Sequence, residues 1–592
     1  MGIGLSSSRK GRTDVADREG GTVLATGRRR ADGASSSSDR NPAVRLDPRH
    51  TGISRHSLAR VSTAPERPGI PHRRDAALAG LVATAVALGV AELVAGLLGS
   101  ARSLVLAVGD VVIDNVPGWL ERAAIALLGT ADKPVLIAGV LVLSAVFGAG
   151  LGVLGRRSLP LAVAGMVAFA ALGVAAASTD PRSSLGASVV VGLVGAVAGV
   201  GALVLLLRAA RPASAPATDQ ASQAAPPVTA SPLDKPPPPA MGRRSFLVLA
   251  GVATGVAAIG AAGGRLLSAP RLEQIRTALR LPPPATPAPP PPTGASLAVD
   301  GLSPLYVPNQ EFYRIDTALT VPQVDPATWS VEITGMVDRP FTLTYDELMA
   351  LPQIEADITL ACVSNEVGGD LVGNARWQGV PLRSLLERAG VQPDATQVIG
   401  RSVDGFTAGF PTELALSDEE ALVAVAMNGE LLPARHGFPA RLVVPGLYGY
   451  VSATKWLAAI ELTTFEDEVG YWIPRGWAQE GPIKTQSRID VPRSGRVPAG
   501  RQPIAGVAWA PTLGIERVEV QVDGGDWVDA RLADALDVDS WRQWVYEWDA
   551  APGRHTIAVR ATDGTGYTQT AERTSVAPDG ATGRHTIEVV AE

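Results

Sequence analysis

A single cysteine, Cys362, occurs in 592 residues, so an internal disulfide is excluded and so is a cysteine-rich zinc site. The six histidines are His50, His56, His72, His436, His555 and His585, and none lies in a long apolar run. A haem held between two histidines of a membrane bundle is therefore excluded. Charge of one sign is also scarce: the net charge is −6, and no stretch interleaves basic with aromatic residues. Binding to nucleic acid is not expected. Residues 1–72 lack apolar periodicity and a secretory apolar core, and are rich in Ser, Arg, Gly and Asp. They read as a disordered cytoplasmic tail.

What the chain has in excess is apolar residues, 46% against 19% charged, unevenly placed. Ala76–Gly99, Pro134–Leu154, Pro160–Ser178 and Gly186–Leu207 are long runs with almost no charge. Each approaches or exceeds the ~20 residues a helix needs to cross a bilayer. Glu92 is the one acid inside these runs, with a pore-facing and a snorkelling role both open. Leu104–Leu128 carries Asp110, Asp114, Pro117 and Glu121, which suits an interfacial or re-entrant segment better than a span. A fifth run extends from Met241 to about Gly263 behind Arg243 and Arg244. That arginine pair resembles a twin-arginine export signal and serves equally as a cytoplasmic anchor. Arg73–Arg74, Arg156–Arg157, Arg208 with Arg211, and Arg243–Arg244 alternate correctly with five spans. The expected topology places these clusters in the cytoplasm and everything after Gly264 outside.

Composition divides the rest. A four-helix membrane region spans 73–210, a Pro/Ala-rich linker 211–241, the fifth helix 242–267, and a Pro-rich linker 268–300. Such linkers favour extended polyproline geometry and act as spacers. Residues 301–488 mix strand, helix and glycine-turn patterns, as an α+β domain does. In 489–592 the pattern is all-β: Val518, Val520 and Val522 alternate before Asp523-Gly-Gly-Asp526, which predicts an immunoglobulin-like sandwich. His555 and His585 fall on its strands with no ligand cluster beside them.

Cys362 lies in Thr359-Leu-Ala-Cys-Val-Ser-Asn-Glu-Val-Gly-Gly369, a short apolar strand running into polar and glycine residues. A free cysteine is often a small buried hydrophobe, but this context suits a backbone loop approaching a ligand. Downstream, Met427–Trp456 sets His436, Arg441 and Lys455 among glycine and proline turns, where the cations can grip a phosphate.

Four motifs then occur in order: Asn428-Gly-Glu-Leu-Leu-Pro433, His436-Gly-Phe-Pro-Ala-Arg-Leu-Val-Val-Pro-Gly446, Lys455-Trp-Leu457 and Pro482-Ile-Lys-Thr-Gln-Ser-Arg-Ile489. With Cys362 they resemble the sulfite oxidase family of molybdopterin enzymes over roughly residues 300–592. The resemblance implies Cys362 as thiolate ligand to one molybdenum per chain, with Asn309, Tyr313 and Arg314 lining the cofactor. It implies that Asp404 touches the pterin and that His436, Arg441, Thr454 and Lys455 hold the pterin and its phosphate. Tyr471 becomes a candidate active-site hydroxyl, with simple packing as its alternative, and the all-β tail a homodimerisation domain. Asp404 fits an ordinary turn equally well.

The implied chemistry is two-electron oxygen-atom transfer on a small sulfur or oxyanion substrate. Electrons would pass to or from a separate cytochrome or quinone-linked partner, since no cytochrome b5-like domain or haem-binding cysteine pair is present. Family members that act on sulfite carry arginines just after the metal cysteine. Here the place reads Val363-Ser-Asn-Glu-Val-Gly-Gly369, and Glu366 would repel an anion if it faced the pocket. Arg376 and Arg475 are possible substitutes. Sulfoxide reduction is the nearest rival reaction, and a membrane ligand-binding or signalling protein is the rival of a different class.

Overall fold

The computed structural model describes residues 70–117, 131–211, 243–268, 270–418 and 420–592, together with Leu120, Ala124, Leu127 and Leu128. Most of the expected tail and nearly all of the 211–241 linker lie outside the described residues.

Among the described residues five helices are long and apolar enough to cross a membrane: α1 (Arg73–Leu98), α3 (Asp132–Gly155), α4 (Leu159–Ser178), α5 (Leu185–Ala209) and the 244–264 part of α6 (Arg243–Ser268). The 104–128 segment contributes α2 (Leu104–Asn115), whose 12 residues are too few to span. Small residues make the helix contacts. Gly80 of α1 meets Gly148 and Gly152 of α3, and Gly89 meets Ala257 and Gly260 of α6, so closely that a Cβ would strike backbone. Large side chains face outward instead: Leu143 is 71% exposed, Leu193 62% and Ile259 74%. This reverses the soluble pattern and matches helices that pack through small residues in lipid.

After α7 (Pro270–Ala278) the chain forms two sheets around one core. The first orders β3 (Ile354–Ala361), β4 (Val372–Pro381), β7 (Leu422–Met427) and β8 (Glu430–Leu431), with β9 (Arg441–Val443) also paired to β7. The second orders β2 (Phe341–Thr344), β1 (Ser330–Gly335), β10 (Leu457–Thr463), β5 (Gln397–Ser402) and β6 (Thr407–Pro411), with only β1 and β10 parallel. The expected short helix after β2 is present at Tyr345–Ala350, started by a reciprocal cap between Thr344 and Glu347.

The β-rich C-terminal part begins with β11 (Gln486–Val491) and packs two sheets of four and five strands over Ile504, Val518, Trp544, Ile557 and Val559. A loop of this part is clamped along β3. Thr359 donates its N–H to the Asp539 carbonyl (3.0 Å), Ser540 Oγ donates to the Asp357 carbonyl (2.7 Å), and the Trp541 N–H donates to Thr359 Oγ1 (2.7 Å).

The Pro-rich segment expected as a spacer lies along this body. The Ala285 N–H bonds the Gln353 carbonyl (2.8 Å), Pro282 O accepts from Gln378 (2.8 Å) and Pro289 O accepts from Arg376 (2.9 Å). Prolines lack N–H donors but keep their carbonyls, so an extended proline run offers a row of acceptors to a polar surface.

Beside the β3 clamp, Glu420 meets Asp537 and Asp539, with their carboxylate oxygens within 4.8 Å of one another. Burial, reinforced by the neighbouring aspartates, pushes Glu420 up to about 8, and burial pushes Asp539 up to about 6. An acid raised on folding binds more protons in the folded state. Its stability contribution is full below the unfolded pKa and is lost as pH rises through the folded one. The melting temperature should therefore fall between pH 5 and about pH 8, and Glu420→Gln should flatten that fall; a melting series of both proteins across this range is the check.

Candidate functional site

Cys362 follows the last residue of β3 and is 8% exposed. Its N–H bonds the Leu371 carbonyl (2.9 Å), its carbonyl accepts from the Asn365 N–H (3.0 Å), and Asn365 Oδ1 accepts from the Leu371 N–H (2.9 Å). The 362–371 loop is thus closed on itself. Its far side rests on the C-terminal part, where Arg488 donates to the Gly369 carbonyl (2.8 Å). Gly368, at φ +82°, sits against the His585 ring, leaving no room for a Cβ. Burial pushes the Cys362 thiol up, and Ser364 opposes that shift through its hydrogen bonds. Tyr313 and Tyr448 both bear electrostatically on the sulfur.

Arg441 begins β9 and is 5% exposed. Its guanidinium donates to the Leu442 and His436 carbonyls (both 3.3 Å) and lies 5.0 Å from the Trp377 ring centroid. Among the described residues no carboxylate lies within ion-pair reach of it. Burial lowers its pKa to about 10, against the pull of Tyr313. His436 is 1% exposed, and burial lowers it to about 4, so its ring is neutral. Its Nε2 donates to the Asn309 carbonyl (2.7 Å).

Lys455 packs against Gly437, one residue past His436, and donates to the Ile315 carbonyl (2.9 Å). It pairs with Asp316, whose second oxygen takes Arg314 (3.2 Å). Burial holds the Lys455 ammonium well below its usual range. Thr454 spends its hydroxyl on the Gly400 carbonyl (3.2 Å). Asn309 spends its amide on the Met427 carbonyl (3.0 Å) and on Asn428 (2.9 Å), so it supports the site through its backbone. Asp404 closes a turn by accepting from the Phe406 N–H (3.2 Å), as the turn reading expects.

Tyr471 stands at one end of this row, with its ring 5.8 Å from Phe406 and the Arg475 guanidinium 3.6 Å above its centroid. Its hydroxyl bonds Asp114 of α2 (2.9 Å). Arg376 is removed from the pocket by a two-pronged bond to Asp357 (2.8 and 2.6 Å) and a contact with Tyr306 (3.0 Å). Glu366 is exposed. Tyr448, Asp316 and Trp377 escape sequence reasoning. Tyr448 lies within the quoted glycine-rich stretch and Asp316 two residues past Arg314, but nothing in their spacing marks which way they face.

A buried thiol and an unbalanced buried guanidinium, both acting on Tyr313, with further cations gathered one loop away, suit an anionic group bound through sulfur. The matches with known proteins identify the group. Residues 318–472 match the family described as oxidoreductase molybdopterin binding domain. The chain is 37% identical over 157 residues to the uncharacterized oxidoreductase YuiH of Bacillus subtilis, covering 26% of this chain and 76% of that one. It is 29% identical over 302 residues to human mitochondrial sulfite oxidase, covering 43% of this chain and 55% of the human protein. The crystal structure of the sulfane dehydrogenase SoxCD from Paracoccus pantotrophus aligns at 24% identity with a TM-score of 0.44, over 49% of this chain and 81% of that one.

The chain belongs to the sulfite oxidase family of molybdopterin-dependent oxidoreductases. It spans about half the length of the human relative. The orphaned charge on Arg441 and the soft Cys362 sulfur fit the molybdenum cofactor, which is anionic and whose metal takes a thiolate. A buried cation without a counter-charge destabilises the protein in the cofactor-free state. Arg441→Met should raise the melting temperature of cofactor-free protein by a few degrees, yet cut the pterin recovered from the loaded protein severalfold. Melting curves and pterin fluorescence of the two preparations test both signs.

Proposed function

We propose that the chain is a membrane-anchored molybdenum enzyme that moves an oxygen atom to or from a small sulfur or oxyanion substrate. The catalytic part would stand on the extracytoplasmic side, exported already folded through the twin-arginine route. The observation that carries this reading is the buried Cys362 at the end of β3, which acts electrostatically on Tyr313 and Tyr448, with the buried Arg441 acting on the same Tyr313. The cofactor, when bound there through Cys362, supplies the two-electron oxo-transfer chemistry.

The chain's own residues do the rest. The closed 362–371 loop fixes the sulfur, and Arg441 balances the cofactor's charge. Neutral His436 gives the pterin end a hydrogen-bonding ring that carries no charge of its own. Tyr313 and Tyr448, whose hydroxyls burial keeps protonated, would be donors available to a substrate oxygen brought near Cys362. Tyr471 would act at the mouth, where Arg475 and Asp114 fix its ring and hydroxyl.

One observation favours a neutral substrate. Arg376, a candidate replacement for the family's anion-binding arginines, is spent on Asp357. A sulfoxide therefore suits the pocket better than a dianion does. Electrons would come from a cytochrome or quinone-linked partner, and the C-terminal part, read as immunoglobulin-like, would pair two chains. A molybdenum-free ligand-binding or signalling protein is the remaining alternative.

Purified protein should contain stoichiometric molybdenum, and Cys362→Ser should lower metal content and turnover by at least tenfold. Spectra of the metal decide the direction. Reoxidation of reduced enzyme by sulfoxides supports the favoured reading, reduction of oxidised enzyme by sulfite supports the other, and inertness to both overturns the oxygen-transfer proposal.

A further inference from the structure

Lys133 stands in the first turn of α3, where a helix presents its positive end. A cation is out of place there unless negative charge meets it. Asp132 bonds the backbone N–H of Lys133 (2.7 Å), but among the described residues no carboxylate lies within ion-pair reach of the ammonium. The ammonium instead reaches across to the oxidoreductase domain and donates to the Asp316 carbonyl (2.7 Å) and the Ala318 carbonyl (2.6 Å).

Those carbonyls belong to the short segment whose Asp316 carboxylate already holds Arg314 and Lys455. Three cations therefore gather on the 316–318 segment, two on the Asp316 carboxylate and Lys133 on its backbone carbonyls. Arg314 and Lys133 each act on Lys455 as like charges. The other cations of the helical rim are already neutralised: Arg102 pairs with Asp110 and Asp180, and Arg182 with Asp180 (2.7 Å). Asp132, Asp110 and Asp404 lend field to the Lys133 ammonium without an ion pair to it.

The rim also covers the place. Gly109 of α2 packs on Leu319, where a Cβ would come within 2.6 Å of a methyl carbon, and Arg102 reaches Thr320 Oγ1 (3.5 Å). Pro181 lies against Gly405 in the Asp404 turn, 3.6 Å from where a Cβ would stand.

We propose that Lys133 is the third cation of the seat for the cofactor's phosphate, so that the helical part of the chain closes over the loaded cofactor. This rests on the reading that Lys455 holds the cofactor's phosphate, with Arg314 brought beside it by Asp316. The charge count then has a reason: a phosphate dianion balances the two cations that Asp316 leaves over. The closure also sets an order. The cofactor enters while the 315–320 segment is open, and docking of the rim holds it in place.

The test uses full-length, molybdenum-loaded protein in detergent, as wild type, Lys133→Gln and Lys133→Arg. Glutamine keeps the hydrogen bonds to the two carbonyls and removes the charge; arginine keeps both. Removing one cation makes the phosphate's second ionisation harder, so its apparent pKa read by 31P NMR should rise in Lys133→Gln and return in Lys133→Arg. Pterin loss after dilution should be on the order of tenfold faster in Lys133→Gln and near wild type in Lys133→Arg. An unchanged phosphorus titration in Lys133→Gln overturns the proposal whatever the loss rate, because Lys133 is then only a latch on the carbonyls. Wild-type protein that holds no pterin overturns the cofactor reading instead.

Discussion

Buried positive charge is the constraint from which the rest of the oxidoreductase domain follows. Taking a guanidinium out of water without a counter-ion costs on the order of several kcal/mol, and a protein accepts that cost only where an anion arrives later. Arg441 is placed by β9, with two carbonyls and an aromatic face to help it and no carboxylate. Cys362 is disfavoured in the same direction, since burial resists its thiolate. Binding of an anionic, thiolate-ligated metal group would relieve both penalties at once. Cofactor binding and folding stability would then be coupled in this domain, as they are wherever a ligand binds the folded state alone.

The sulfur itself is positioned from two sides. Its strand, β3, pairs with β4 on one edge and takes the 539–541 loop of the C-terminal part near its middle. Its loop is closed by Asn365 and backed by Arg488 and His585 from that same part. The motif at the domain junction thus has a local purpose, because Arg488 lies within it and fixes the carbonyl of Gly369. A C-terminal domain whose only task was association would not need to reach the Cys362 loop in this way.

The cofactor motifs were legible in the sequence because their signals are local. Gly437 at φ +109° and Gly446 at φ +74° require glycine, and both stand among the cations that the reading singled out. The long apolar helices were legible for a similar reason, since length and absence of charge are properties of one segment. What remained hidden depends on pairing at a distance. Arg376 looked available until Asp357, across the β3–β4 register, was seen to take it. Asn309 looked like a cofactor contact, yet its amide is held by Asn428 and the Met427 carbonyl. The proline run read as a spacer because its composition fixes backbone shape and says nothing of which donors its carbonyls will find.

The junction between the helical rim and the oxidoreductase domain shows how few charges are needed to fix an orientation. Most rim charge is consumed internally by the Arg102, Asp110, Asp180 and Arg182 network, in which burial pushes Asp110 and Asp180 each up to about 6. Arg102 adds one weak reach to the Thr320 hydroxyl. Two side chains of opposite sign make the stronger crossings. Lys133 takes the carbonyls of the 316–318 segment, and Asp114 takes Tyr471 with Arg475 3.8 Å away. The two land on segments flanking the proposed cofactor, one at its phosphate end and one at the pocket mouth. A rim held at those two points cannot swing away from one without straining the other, so under the proposed cofactor placement access would be tied to the seating of the helices.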